Sequence, residues 1–433
     1  MLLDTLPTEL VEVIATHLDL LAARSLRLTS SSLKQKSLHV FRDRFFLKRC
    51  ISWTKHDLDQ LVTISTHPTF GPILQHLSID STPRSSISLW QLRKRISDSD
   101  AIISDSENII FRSELQEQYI GEEKRAKELA TFFNETRHDQ KCLQAVFEKL
   151  PHMESVVFRF EGMDQKYGKF GRRYCESSQH EMSRPFVSTM AAIAASNIHV
   201  KEISIDSHYN HGAVGIGRLE SLAPSLGKFA TAFARLEKLE LNLRDWRYPD
   251  IGFELESDRA PFVVRFLMKA RSVKHLTISC YSSLEADLIG DMARHCTFDK
   301  LETCKLSHFR LHDMMDLGRL LGRSALTLRN LNLTHMALRG ADQEWVDLLR
   351  GLASDDLSLQ ALEQMKLDSL YTKRGARIHF KDGTSPRLTV GTEGLRKSWR
   401  DELMAQLDDM NESTWGPPWH LAVVAYPFHR ASS

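Results

Sequence analysis

One short apolar pattern recurs along most of the chain and limits what it can fold into. An apolar residue, two variable residues, a second apolar residue, one variable residue and a third apolar residue form each copy. The copies read Met153-Val156-Phe158, Val200-Ile203-Ile205, Leu236-Leu239-Leu241, Val273-Leu276-Ile278, Leu301-Cys304-Leu306, Leu328-Leu331-Leu333 and Leu362-Met365-Leu367, with an earlier one at Leu74-Leu77-Ile79. The period-two ending of each copy predicts a strand with one buried face. Between copies, apolar residues return at helical spacing, as in Phe262, Phe266, Leu267 and Ala270 or in Leu317, Leu320 and Leu321. Helices are expected over 142–150, 222–233, 261–271, 284–295, 314–321 and 345–352. Such units cannot bury their apolar faces singly; side by side they form a parallel sheet backed by helices. The expected fold class is α/β, with an irregular array of strand–helix units over residues 51–433 behind a small helical module over residues 1–50.

The first positions of the seven main copies lie 47, 36, 37, 28, 27 and 34 residues apart, the spacing of a worn repeat with insertions. One insertion, 81–140, opens with the Ser/Asp-rich stretches Ser97-Asp98-Ser99-Asp100 and Ser104-Asp105-Ser106-Glu107, expected as a solvated loop before a charged helix around Glu114 to Phe133. The other, 161–189, mixes Gly162, Tyr167, Gly168, Phe170, Gly171, Arg172, Arg173 and Tyr174 and is expected as a long loop. The tail from Trp415-Gly416-Pro417-Pro418-Trp419 onward is expected to cap the open end of the array. Residues between and after the buried strand positions are the candidate target contacts: Ser204, Glu240, Asn242, Thr277, Ser279, Lys305, Ser307, Asn332, Thr334, Lys366 and Asp368. Their mixed sign and size specify no substrate class.

The N-terminal 50 residues carry a different signal. Pro7 and Glu9 mark a helix start, where a missing amide is harmless and an acid suits the dipole. Leu10, Val13, Ile14, His17 and Leu18 then form one apolar stripe. Asp19 is placed to cap a second helix, with Leu21, Ala22, Leu26, Leu28 and Leu33 as the apolar positions that follow. A unit this small encloses little core of its own, which leaves leucines for a partner or for the rest of the chain. Phenylalanines in Phe41-Arg42-Asp43-Arg44-Phe45-Phe46 are expected to join the module to the body.

Leu6-Pro7-Thr8-Glu9, Ile14, Leu18-Asp19 and Leu26-Arg27-Leu28-Thr29-Ser30 resemble the F-box in order and spacing, over roughly residues 4 to 49. The chain departs from that family at Leu20, where a Pro is frequent, at Ala23, near which a Leu is frequent, and at Ser31, where a basic residue is usual. The downstream pattern resembles a leucine-rich-repeat array, a combination known among fungal F-box proteins, although the usual Asn after the strand is missing from most copies. The resemblance implies a substrate-recognition subunit of a cullin ubiquitin ligase. It would hold the Skp adaptor, and through it the cullin, with Leu6, Pro7, Leu10, Ile14, Leu18, Leu26 and Leu28, while the array holds a protein target. The alternative is a scaffold whose helical hairpin only caps the array. A free apolar patch around Leu6, Pro7 and Ile14 favours docking, and its burial favours capping.

Lys+Arg 57 against Asp+Glu 56 gives no field that calls for nucleic acid or an anionic membrane, so neither is an expected partner. Cys50, Cys142, Cys175, Cys280, Cys296 and Cys304 show no CxxC pair, and Met1-Leu2-Leu3 runs at once into Asp4 and Pro7 without a signal-peptide pattern. The expected setting is intracellular, cytoplasmic or nuclear. No GxSxG, P-loop, complete GxGxxG or HExxH occurs, so a non-catalytic protein with no cofactor is expected. Asp206, His208 and His211, and His295 with Cys296 and Cys304, match no standard zinc spacing.

Overall fold

The computed structural model describes residues 3–100, 106–160, 176–205, 213–245, 260–282, 287–338, 345–354, 359–372, 376–380, 385–391, 398–407 and 411–413. Four short helices come first: α1 (Thr8–Thr16), α2 (Leu20–Thr29), α3 (Ser31–Lys36) and α4 (Leu38–Phe45). Asp19 caps α2 by accepting from the Ala22 amide at 2.7 Å, and Ser30 caps α3 by accepting from the Ser32 amide at 3.1 Å. The module's own buried apolar side chains are Val11, Ala15, Ala23, Leu33 and Phe41.

That set corrects the expected stripe. Val11 and Ala15 face inward, and Leu10, Val13 and His17 face out. The physical reason is size: α1 packs against α3 and α4, and the small Ala15 with the β-branched Val11 lets their backbones approach, which leaves the larger side chains on the outside.

The body is a mixed α/β unit built on one large, mostly parallel sheet. Its strands, with the short pairs beside it, are β1 (Lys48–Ser52), β2 (His76–Asp80), β3 (Ser155–Arg159), β4 (Glu202–Ile205), β5 (Val214–Gly215), β6 (Lys238–Asp245), β7 (His275–Ser282), β8 (Thr303–Ser307), β9 (Arg310–Leu311), β10 (Asn330–Thr334), β11 (Ala337–Leu338), β12 (Gln364–Asp368), β13 (Arg377–His379), β14 (Arg387–Val390) and β15 (Asn411–Ser413). Among the described residues the main sheet has 11 strands in the order β1-β2-β3-β4-β6-β7-β8-β10-β12-β14, with β5 beside β6. Space order follows chain order, and every neighbouring pair is parallel except β12 with β14.

All eight copies of the apolar pattern fall on these strands in one register. Leu77, Val156, Ile203, Leu239, Leu276, Cys304, Leu331 and Met365 are successive partners across the sheet. Each is buried, and together with the helices behind the sheet they belong to a single apolar cluster running from Ile51 to Leu407. Three residues beyond the last pattern position, Phe309, Met336 and Leu370 are buried too, so apolar packing occupies the turn where a polar Asn was looked for.

β1 pairs with β2, so the sheet takes in residues assigned to the helical module, whose helices end at Phe45. The expected helix over 222–233 is a 3-10 turn, Glu220–Ser225, and a short helix, Phe229–Ala232; Pro224 offers no amide to a continuous one. In the 81–140 insertion the charged helix expected around Glu114 to Phe133 lies within a longer helix, Ser106–Thr136, and the loop expected ahead of it is helical where it is described. α5 (Lys55–Thr66) lies ahead of it; α6 (Arg84–Asp100) and α7 (Ser106–Thr136) form a hairpin, and α8 (His138–Lys149) follows. Ser97 to Asp100 are the last turn of α6, where the Ser99 hydroxyl donates to the Ile96 carbonyl at 2.6 Å and is satisfied without leaving the helix. Ser104 and Asp105 lie outside the described residues.

In the second insertion, residues 176–189 belong to α9 (Glu176–Ser196), while Gly162 to Tyr174 lie outside the described residues. Arg184 of α9 forms a two-pronged ion pair with the buried Asp139 at the start of α8, at 2.7 and 3.3 Å. Glu181 accepts from the Ser85 and Ser86 amides at 3.0 Å each, anchoring the start of α6 to α9. The tail around Trp415 and Trp419 lies outside the described residues. Among the described residues no helix is long and apolar enough to cross a membrane.

Candidate functional site

Two surfaces carry the candidate residues, the helical module and the polar face of the sheet. The module is laced by basic side chains that bind helix and loop carbonyls. Lys36 donates to the carbonyls of Asp4 at 2.8 Å and Leu6 at 2.7 Å, fixing the Leu6-Pro7 loop. Arg44 donates to Ala15 and Leu18 at 2.7 and 2.8 Å, closing the end of α1. Arg27 donates to the Lys34 carbonyl at 2.8 Å and lies 4.3 Å from the centre of the Phe41 ring. Burial holds the Arg27 pKa below its ordinary value.

On this frame Pro7, Leu10 and Leu28 are exposed, while Leu6, Ile14, Leu18 and Leu26 are half-buried. None of the seven is in the body's core. Val13, Leu20 and Leu21, which the sequence reading did not select as contacts, are exposed beside them in the chain. Leu28 is 85 % exposed and Leu21 71 %, seven residues apart and therefore on one side of α2. A hydrophobic-moment argument finds such residues as an apolar stripe, but it assigns the stripe to the interior.

The module meets the body through aromatic rings. Phe46 stacks on Phe70 with centroids 4.1 Å apart, Phe41 lies 5.6 Å from Phe46, and His67 lies 4.5 Å from Phe70. The expected phenylalanine joint is therefore present.

On the sheet, Ser204, Glu240, Thr277, Lys305, Asn332 and Lys366 form one cross-strand row. Three candidates require correction, because Ser204, Asn242 and Ser279 are buried. Ser204 is buried and donates to the Glu240 carboxylate, so both groups serve an internal network. Asn242 is buried because the chain at 213–215 runs along β6 there, with the Ala213 amide donating to the Asn242 carbonyl at 3.0 Å. Thr277 and Asn332 are half-buried, and Lys305 and Lys366 are exposed. Of the neighbouring row, Ser279 accepts from Ser307 at 2.6 Å, and Asp368 pairs with Arg387 at 2.9 Å.

A feature missed in the sequence lies three positions before the Ser204–Lys366 row. Glu154, Lys201, Glu237, Lys274, Glu302, Arg329 and Glu363 each follow the first apolar residue of a copy, and their sign alternates without exception. Each amide donates to the carbonyl of the residue before it in this series, so they stack as one column. Lys201 pairs with Glu154 at 2.7 Å, Lys274 with Glu237 at 3.2 Å and Arg329 with Glu363 at 3.2 Å. The hydrogen bond from Lys201 holds the Glu154 carboxyl below its usual range. In the next row, burial lowers the Lys238 pKa, but its bonds to Glu202 at 2.9 Å and Glu240 at 3.3 Å outweigh this and leave it raised. Aligning the copies on their apolar positions and reading the sign of the second residue would have found the column.

Of the sequence candidates for metal binding, His295, Cys296 and Cys304 do not converge among the described residues. Cys304 is a core strand residue and Cys296 a buried one, and burial pushes both thiols up to about 12. His295 is exposed, and Asp206, His208 and His211 lie outside the described residues. The five described cysteines are all free thiols. No protein-family model matches the chain, and no curated protein matches it.

Proposed function

We propose that the chain is a substrate receptor of a Skp–cullin ubiquitin ligase. In this reading the helical module is an F-box, and the body is an irregular leucine-rich-repeat-like solenoid. One observation carries the reading: Leu10, Val13, Leu21 and Leu28 stand out from α1 and α2 on a module whose own packing is complete without them. Large apolar side chains exposed this way mark a surface meant to be covered. The fixed Leu6-Pro7 loop supplies the rest of the docking face for the adaptor and, through it, the cullin. Target recognition falls to the polar sheet face, where Lys305 and Lys366 stand exposed on either side of Asn332. Such a receptor works by proximity, raising the effective concentration of the target's lysines at the charged enzyme.

The test is co-purification of the full chain with the Skp adaptor. Wild type is expected to retain the adaptor, and Leu10→Glu with Leu28→Glu to lose it with an unchanged melting temperature, because both side chains are already in water. If wild type brings down no adaptor, the ligase reading falls. The Phe41, Phe46 and Phe70 cluster favours a second role, in which the module covers the first strand of the array; that role uses a different set of side chains and leaves the exposed leucines unexplained.

A further inference from the structure

α5 and α8 pack side by side and bring together three side chains that are far apart in sequence. His138 and Cys142, four residues apart on α8, share one helix face, and Asp59 of α5 faces them. The His138 Nε2 lies 2.9 Å from Asp59 Oδ1 and 3.4 Å from Cys142 Sγ, and Sγ lies 3.9 Å from the same carboxylate oxygen. Among the described residues this is the group of three or more His, Cys, Asp or Glu side chains whose ligand atoms converge.

Without a cation, Asp59 Oδ1 accepts from both the His138 Nε2–H and the Cys142 thiol, which leaves the three groups converged on one point. Tetrahedral zinc, with bonds of about 2.0–2.3 Å to nitrogen, oxygen and sulfur, needs its ligand atoms about 3.3–3.6 Å apart. The 3.4 Å N···S distance falls in that range, while the 2.9 Å N···O distance lies below it and the 3.9 Å S···O distance above it, so a bound ion would draw the sulfur in and part the other two. Oxygen, nitrogen and thiolate sulfur are also the donor set that such a cation takes. Phe132, 5.5 Å from the His138 ring, walls one side, and the half-exposed Asp59 leaves the other open to water.

We infer that Asp59, His138 and Cys142 form a three-ligand site for a zinc-type divalent cation, with water as the fourth ligand. Binding exchanges the Cys142 thiol proton for the metal and releases it to solvent. The bound ion ties α5 to α8 and, through the Asp139–Arg184 pair at the start of α8, to α9.

Metal-free full chain titrated with cobalt(II) tests this. One equivalent is expected to produce a thiolate-to-cobalt charge-transfer band and the visible bands of tetrahedral cobalt, and zinc(II) is expected to abolish both by displacement. Cys142→Ser should lose the charge-transfer band, while Cys50→Ser, which changes the exposed thiol outside the cluster, should keep it. Zinc should raise the melting temperature of wild type and of Cys50→Ser, and not that of Cys142→Ser, whose circular dichroism is checked against wild type. The absence of a thiolate band, a band of equal intensity in Cys142→Ser, or an equal zinc-induced shift in all three proteins would each overturn the site.

Discussion

His335 follows β10 with φ of 51°, the left-handed region, and its ring stacks on His308 at 4.8 Å, which stacks in turn on Tyr281 at 4.1 Å. Burial lowers its pKa; Asp368 acts in the opposite sense, and Arg377 and Arg387 reinforce the lowering. With the folded value depressed below the unfolded value of about 6.5, the unfolded chain takes up the proton first as pH falls. The contribution of His335 is therefore fully present above that range and declines as the pH drops through about 6.5 toward the folded value. Asn tolerates a left-handed backbone and does not titrate. Between about pH 7.5 and about pH 5.5, His335→Asn should lose less melting temperature than wild type, by thermal unfolding at each pH. A residual slope is expected because His379 is lowered in the same direction, by burial first and then by Arg377. Equal slopes in the two proteins would remove His335 from the account. None of this was legible in the sequence, which shows a histidine after a strand and neither its backbone region nor its burial.

At the scale of elements, the sequence reading placed eight of the 11 strands described in the main sheet, missing β1, β5 and β14, and the helices in part. Strands were legible because each copy of the pattern has a fixed spacing and the sheet has one register. The Leu222–Phe233 segment failed where Pro224 interrupts it, and the loop expected ahead of the charged helix around 114–133 failed because Ser and Asp discourage a helix only when their side chains compete for the backbone. α1 shows a subtler limit. Periodicity names the apolar residues of a helix, but the choice of inward face belonged to Val11 and Ala15, whose size lets neighbouring helices close in. Ala23 of α2 is a second small residue at such a contact. Ala23→Leu should overfill it and cost about 1–3 kcal/mol by denaturant unfolding. A gain in stability would mean that a cavity waits there and that the module is looser than its hydrogen bonds indicate.

Across the whole molecule two series run through the sheet side by side, and they need not contribute alike. The buried rows, such as Leu239, Leu276 and Cys304, supply the cohesion, because each strand closes the apolar face of the next. The alternating column from Glu154 to Glu363 lies at the half-exposed start of the strands, where a single ion pair contributes little. Its strict order matters in another way: a strand that slipped toward the wrong neighbour would set like charges together, which is unfavourable across strands. Lys274→Glu creates that situation in place, leaving a carboxylate between those of Glu237 and Glu302. It should destabilise by up to about 1 kcal/mol in dilute buffer, and the loss should shrink in about 1 M salt, where the screening length falls from about 10 Å to about 3 Å. Leu276→Ala, two residues beyond Lys274 and in the buried row, should cost about 2–5 kcal/mol at either salt concentration. Urea unfolding of both variants at low and high salt separates the two series. A loss in Lys274→Glu that ignores salt would mean that the column acts through packing, and its alternation would then have no electrostatic meaning.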